Sequence, residues 1–162
     1  MTKLRKLTAL LLAGALTLLL LTACSGGGGG SSGPEAQAEA KVMRAIRKNP
    51  ATASLTYDDE TQRIAKDKLT NTNLDAELKG NIGGYGVYHK VNIDSKKSTL
   101  TLIAQYDYKG TKLEELIKYI TSDSNASSLN YNQAGRWTKV GVAAKIHQGQ
   151  TYIAITLQVK RT

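Results

Sequence analysis

Side chains able to do chemistry are sparse in this chain of 162 residues. It has one cysteine, Cys24, and two histidines, His89 and His147. A single cysteine excludes a disulfide framework and a cysteine-based zinc site. Two histidines far apart in sequence argue against a histidine-rich metal enzyme, so the residue types point to no metal and no cofactor. His89 falls between Val87 and Val91 on the inward side of an alternating run and reads as a core histidine. His147 sits at a strand end beside a turn and reads as exposed. Either one, to act on water, needs a carboxylate to orient it. Asp107 and Asp123 are the candidates, and spacing alone joins neither to a histidine.

Two further sets of residues invite a binding reading. Gly80, Gly83, Gly84 and Gly86 form a glycine-rich stretch. A phosphate cradle has a strand before it and a helix after it. Here a strand follows, so the stretch reads as a flexible entry to a sheet. The aromatic set is eight Tyr, one Trp and no Phe. Such rings join an apolar face to a polar edge and suit contact with sugar or peptide. Tyr85, Tyr88, Tyr106, Tyr108, Tyr131 and Trp137 are the candidates to line a groove, with core packing as the competing use of the same rings.

Residues 1–33 stand apart from the rest. Lys3, Arg5 and Lys6 form a basic start, Leu7 to Leu21 is nearly unbroken apolar sequence, and Ser25 to Gly33 is a Gly/Ser tract. An apolar run of this length suits a signal-peptide core and falls short of the ~20 residues that span a bilayer as a helix. It ends in Leu21-Thr22-Ala23-Cys24, which resembles the bacterial lipobox. That resemblance implies cleavage before Cys24 and lipid attached to its sulfur, hence a protein held on the extracytoplasmic face of a bacterial cell membrane. Two acyl chains, at about 0.8 kcal/mol per buried methylene, give stable anchoring. The Gly/Ser tract then serves as a tether of about 15–20 Å root-mean-square span. Ser25, in the place where Asp would mark inner-membrane retention, favours a Gram-positive surface lipoprotein.

Charge sharpens the picture once the leader is set aside. Without Lys3, Arg5 and Lys6 there remain 19 basic and 13 acidic residues, a net of +6. Residues 34–123 are nearly balanced. Residues 124–162 hold Arg136, Lys139, Lys145, Lys160 and Arg161 and no acid. A basic face of this kind attracts phosphate-rich polymers or anionic headgroups. Nucleic acid is the other common partner of such a face, but an exported lipoprotein does not meet it, so none is expected. A plain solvated strand face is the competing reading, and Arg136 and Lys139 are the binding candidates on it.

The remaining 129 residues, 34–162, are the size of one domain. Pro34 to Asn49 reads as a helix, with Pro and Glu35 in its first turn and Asn49-Pro50 to stop it. A second helix is expected at Tyr57 to Leu69, capped by Thr56, followed by a loop with a short turn at Asp75 to Leu78. Tyr85 to Ile93 and Leu100 to Tyr108 alternate with period two around a turn at Asp94 to Lys97 and form a hairpin. Thr111 to Thr121 is an amphipathic helix with Thr111 and Glu114 as a capping box. Arg136 to His147 and Thr151 to Val159 form a second hairpin, with Val140, Val142, Ala144 and Ile146 inward and Lys139 and Lys145 outward. The expected fold is α+β, a four-stranded antiparallel sheet carrying three helices.

Several stretches resemble CAP-superfamily (SCP-like) domains. They are Arg136-Trp137-Thr138-Lys139-Val140-Gly141-Val142-Ala143, Gly149-Gln150-Thr151-Tyr152-Ile153-Ala154, and Leu55-Thr56-Tyr57-Asp58 followed by Ile64-Ala65. The resemblance implies an α-β-α sandwich. It does not carry over the family's metal-capable cleft, since Lys79-Gly80-Asn81-Ile82 lacks the Glu of that element and Ser122-Asp123-Ser124-Asn125-Ala126 lacks its His. The expectation is therefore a lipid-anchored, non-catalytic binding domain for a cell-wall polymer, glycan or peptide. The alternative is an envelope hydrolase using His89 or His147 with an acidic partner.

Overall fold

Helix and strand ends in this chain follow from local chemistry. A computed structural model describes residues 33–78, 89–107, 113–122 and 137–159, all within the compact unit Ser32–Thr162. Helix α1 spans Pro34–Lys48, with Pro at its start, Glu35 in the first turn, and Arg47 and Lys48 in the last. These charges complement the helix dipole. Ala38, Val42 and Ile46, four apart, form its buried stripe. Asn49 ends it by accepting the Ala51 N–H on Oδ1. The buried Thr52 hydroxyl donates to the Ile46 carbonyl at 2.7 Å and fastens the following turn.

The second helix begins two residues later than its pattern predicts. Thr56–Tyr57 is a short strand, β1, and helix α2 runs Asp59–Asn71 with Asp58 as its N-cap. Asp58 Oδ2 accepts both the Thr61 N–H at 2.9 Å and the Thr61 hydroxyl at 2.6 Å. A carboxylate in this position satisfies a helix-terminal donor and complements the dipole, so it displaces Thr56 as the cap. A single-turn helix α3, Leu74–Glu77, follows with Asn73 as cap. Then come β2 (His89–Asp94), β3 (Thr99–Tyr106), α4 (Leu113–Ile120), β4 (Trp137–His147) and β5 (Gln150–Val159). The expected capping residue Thr111 lies outside the described residues.

The sheet corrects the expected four-stranded antiparallel arrangement with three helices. It has five strands in the order β1-β4-β5-β3-β2, and four helices are described. β1 pairs with β4 in parallel, through Thr56 with Lys139 and Tyr57 with Val140; the other pairings are antiparallel. Two strand residues cannot display an alternation and four helical residues cannot display a 3.6 period, so neither β1 nor α3 leaves a periodic signature.

Helices cover both faces of the sheet. Leu100, Leu102, Tyr106, Val140, Val142, Ile153, Ile155 and Leu157 form one core with α1 and α4. Ile103, Ala143, Tyr152 and Ala154 form a second with Ala65 and Leu69 of α2 and with Leu74 and Leu78. The expected solvated face of β4 is thus largely covered. Lys139 and Lys145 flank Gly141 and Ala143, both buried under α2. Gly141 permits this contact, because a Cβ there would lie inside the backbone of Thr61 and Gln62. Ile146, expected inward, is 40% exposed at the far end of β4.

Beyond β1, the outer edge of β4 is closed by α1 rather than by a strand. Glu39 Oε1 accepts the Ala144 N–H at 2.9 Å and Glu35 Oε1 accepts the Ile146 N–H at 2.7 Å. The match is geometric. Residues i and i+4 of a helix rise about 6 Å, and residues i and i+2 of a strand about 6.6 Å. Two glutamates one helical turn apart therefore meet alternate edge donors, which leaves that edge less open to pairing with another chain. Burial, reinforced by Glu35, raises the Glu39 carboxyl above its ordinary 4.5 against the opposing pull of the Ala144 N–H and Lys66.

Candidate functional site

Lys139, Lys96 and Lys97 come to one depression at the end of the sheet where β4 starts and β5 finishes. Asp58 is the pivot. Its Oδ2 caps α2, and its Oδ1 takes the Lys139 ammonium at 2.9 Å. The Thr61 hydroxyl, the Lys139 ammonium and the Thr61 N–H hold the Asp58 carboxyl well below its usual range, at about 2. The same pairing raises Lys139. A lysine on a strand end normally sweeps a wide volume; here its charge is held in one place while the side chain stays 43% exposed.

Lys139 borders a shallow, open depression of about 380 Å³. Thr138 from β4 and Gln158 and Val159 from β5 line it, together with Glu60 and Ile64 of α2. The turn between β2 and β3 closes it with Lys96, Lys97 and Ser98. That turn is shaped by Asp94, whose Oδ1 accepts the Lys97 N–H, and by Ser98 in the left-handed region at φ 56°. The Ser98 carbonyl then accepts the Val159 N–H, binding the turn to the end of β5. Gln158 is oriented from beneath by the Thr61 hydroxyl, 3.3 Å from its Oε1. Thr99, the register partner of Gln158, has a buried Oγ1 with no hydrogen-bond partner among the described residues. Three lysines, a glutamate, a serine, a threonine and a glutamine therefore line one open surface. Chemically, it can take an anion that also carries hydroxyl groups.

Lys139 is the one binding candidate from the sequence that this site contains. Arg136 lies outside the described residues, as do Cys24, Tyr85, Tyr88, Tyr108 and Tyr131. Tyr106 and Trp137 are buried in the larger core, 4% and 9% exposed, so neither ring is presented to a ligand groove. Both occupy inward positions of their strands, where a large ring fills core volume. Lys96 and Lys97 were invisible as site residues because a turn containing two lysines looks like any solvated turn. Their relevance comes from β5, which brings that turn beside β4.

The histidines do not form a catalytic pair. His89 opens β2 opposite Ala104, whereas His147 ends β4, two strands removed across β5 and β3. The carboxylate paired with His147 is Asp75, 3.0 Å from Nε2. Asp123 lies outside the described residues. Gln148 Nε2 donates to the same Asp75 oxygen at 3.3 Å, and the Tyr152 ring meets the imidazole edge-on. His147 is thus half-buried and paired, where exposure was expected. No group of three or more His, Cys, Asp or Glu among the described residues could hold a metal ion. No described helix is long and apolar enough to cross a membrane. No protein-family model, curated protein or solved structure matches the chain.

Proposed function

We propose that this chain is a lipid-anchored, extracytoplasmic binding domain of a bacterial envelope, without catalytic activity, that holds an anionic envelope component at the Lys139 depression. The leader supports the anchored part of this reading: a basic start, an apolar core too short to span, and Cys24 directly after Leu21-Thr22-Ala23. The binding part rests on one observation above all. Lys139 is positioned by Asp58 on the border of a depression that Lys96 and Lys97 also line. Arg136, Lys160 and Arg161 adjoin the lining segments in sequence and add to the positive charge of the C-terminal quarter. The CAP-like resemblance is kept in this reading for the α-β-α layering it implies, without that family's metal-capable cleft.

The test has two arms. Metabolic labelling with a radioactive fatty acid should mark the wild-type protein and not Cys24→Ser, and unlabelled wild-type protein would overturn the anchor. Co-sedimentation with purified cell envelopes should fall steeply between about 50 and 300 mM salt, since the screening length of exposed charges drops from about 14 Å to about 6 Å over that range. Salt-independent retention, or none at all, would remove the basic depression from the function.

A further inference from the structure

We infer that the depression is a subsite for a phosphodiester-linked polyol or sugar chain. This deepens the envelope-binding reading above and rests on it.

The mixture of groups carries the chemistry. Glu60 belongs to the acidic first turn of α2 and also lines the depression, where its carboxylate repels a ligand that offers negative charge alone. A ligand that alternates charge with hydroxyls uses both the lysines and this carboxylate. Lys96, Lys97 and Lys139 can donate to phosphodiester oxygens while Glu60 accepts from a hydroxyl. The depression is open and, at about 380 Å³, small for a ligand pocket. It suits one repeat of a chain that continues past both rims better than an enclosed small molecule.

The experiment uses the full lipidated protein in phosphatidylcholine vesicles, with a fluorescent glycerol-phosphate oligomer and polyglutamate of equal charge as probes. The oligomer should bind about tenfold tighter than polyglutamate, and a Lys96→Gln/Lys97→Gln double variant should lose about tenfold or more of that affinity. Glu60→Ala should weaken the oligomer and strengthen polyglutamate, a crossed result that charge alone does not produce. Equal affinity for both probes, or a Glu60→Ala gain for both, would overturn the inference in favour of an unselective basic face. Adding phosphatidylglycerol to the vesicles should leave oligomer affinity unchanged; competition by it would make the headgroup the ligand. If neither probe binds while envelope co-sedimentation persists, the ligand chemistry is wrong and the envelope reading stands. If co-sedimentation is also lost, the reading itself fails.

Discussion

The two ends of the β4–β5 hairpin are held by carboxylates in opposite ways. At the start of β4, Asp58 caps α2 and draws Lys139 to itself, and its carboxyl is held at about 2. At the other end, Glu39 and Glu35 reach from α1 to the open edge of the strand, and burial pushes the Glu39 carboxyl up. One carboxylate is stabilised by its charge and the other is used mainly as a hydrogen-bond acceptor. The difference follows from partners. Asp58 has three donors, one of them a cation; Glu39 has one backbone N–H, and its acidic neighbour Glu35 outweighs the pull of Lys66. The first arrangement leaves a fixed ammonium facing solvent, which is what a binding surface needs. The second closes a sheet edge.

The largest effect that breaks this contrast comes from Gly141, where α2 lies directly on β4. Gly141→Ala would drive a methyl into the backbone of Thr61 and Gln62, which cannot step aside as a flexible side chain would. The expected loss is about 3 kcal/mol, at the top of the range for overpacking. Because α2 carries Asp58, oligomer binding should weaken as well, while the Glu39 and Glu35 contacts persist. Chemical denaturation together with binding at low denaturant checks both parts. A variant of wild-type stability would mean that α2 does not lie this close.

Next comes Glu39, which separates acceptor from charge. Glu39→Ala leaves the Ala144 N–H without its partner and should cost about 1–2 kcal/mol. Glu39→Gln keeps an acceptor oxygen and removes the charge. A carboxyl whose folded value is raised binds its proton more tightly in the fold, so its contribution falls as pH rises from 4.5 through the raised value. The Gln variant should therefore gain on wild type across that window and be at least as stable at pH 7. A Gln variant that instead loses stability there would show that Glu39 holds the edge by charge, as Asp58 holds Lys139.

Asp58 supplies the opposite pH response. Asp58→Ala removes the cap on Thr61 and should cost about 1 kcal/mol at neutral pH. A depressed carboxyl contributes stability above its unfolded value of 3.8 and loses it as pH falls through about 2. The gap between wild type and Asp58→Ala should therefore narrow below pH 4 in acid denaturation, whereas the Glu39→Gln comparison narrows from the other side. A gap that stays constant down to pH 2 would remove the ionised cap from the account.

What could be read ahead of the structure divides along the same physical lines. The hairpins and the helix at Leu113–Ile120 were legible because each repeats its period several times, and α1 because Pro34 and Asn49 punctuate it. The edge contacts of Glu35 and Glu39 were not, since an i, i+4 pair of glutamates on a helix is ordinary, and only the position of β4 gives it a use. Gly141 did carry a signal: a lone glycine in an alternating strand marks a close backbone approach. The depression was half legible. The basic C-terminal quarter and Lys139 stand out by composition, but Lys96, Lys97, Glu60 and Asp58 join it only through pairings distant in sequence. Tyr106 and Trp137 show the converse limit, since rings suited to a ligand groove serve equally well in a core.

The smallest effect tests whether the hairpin end is shaped for rigidity alone. His147 and Gln150 pair across a two-residue turn, with Gln148 at φ 49° and Gly149 at φ 77°. Both values lie in the left-handed region that a type I′ turn requires, where Gly is unstrained and Asn is the better-tolerated side-chain residue. Gln148→Asn should therefore stabilise the protein by about 0.5 kcal/mol, less whatever the 3.3 Å contact of Gln148 to Asp75 contributes. That contact is on the surface, and pairs of its kind contribute little. The expected result is a small rise in Tm with oligomer affinity unchanged, because the turn lies at the far end of β4 from Lys139. A change in affinity would mean that the two ends are coupled through the strands, and that the hairpin end contributes to binding as well as to stability.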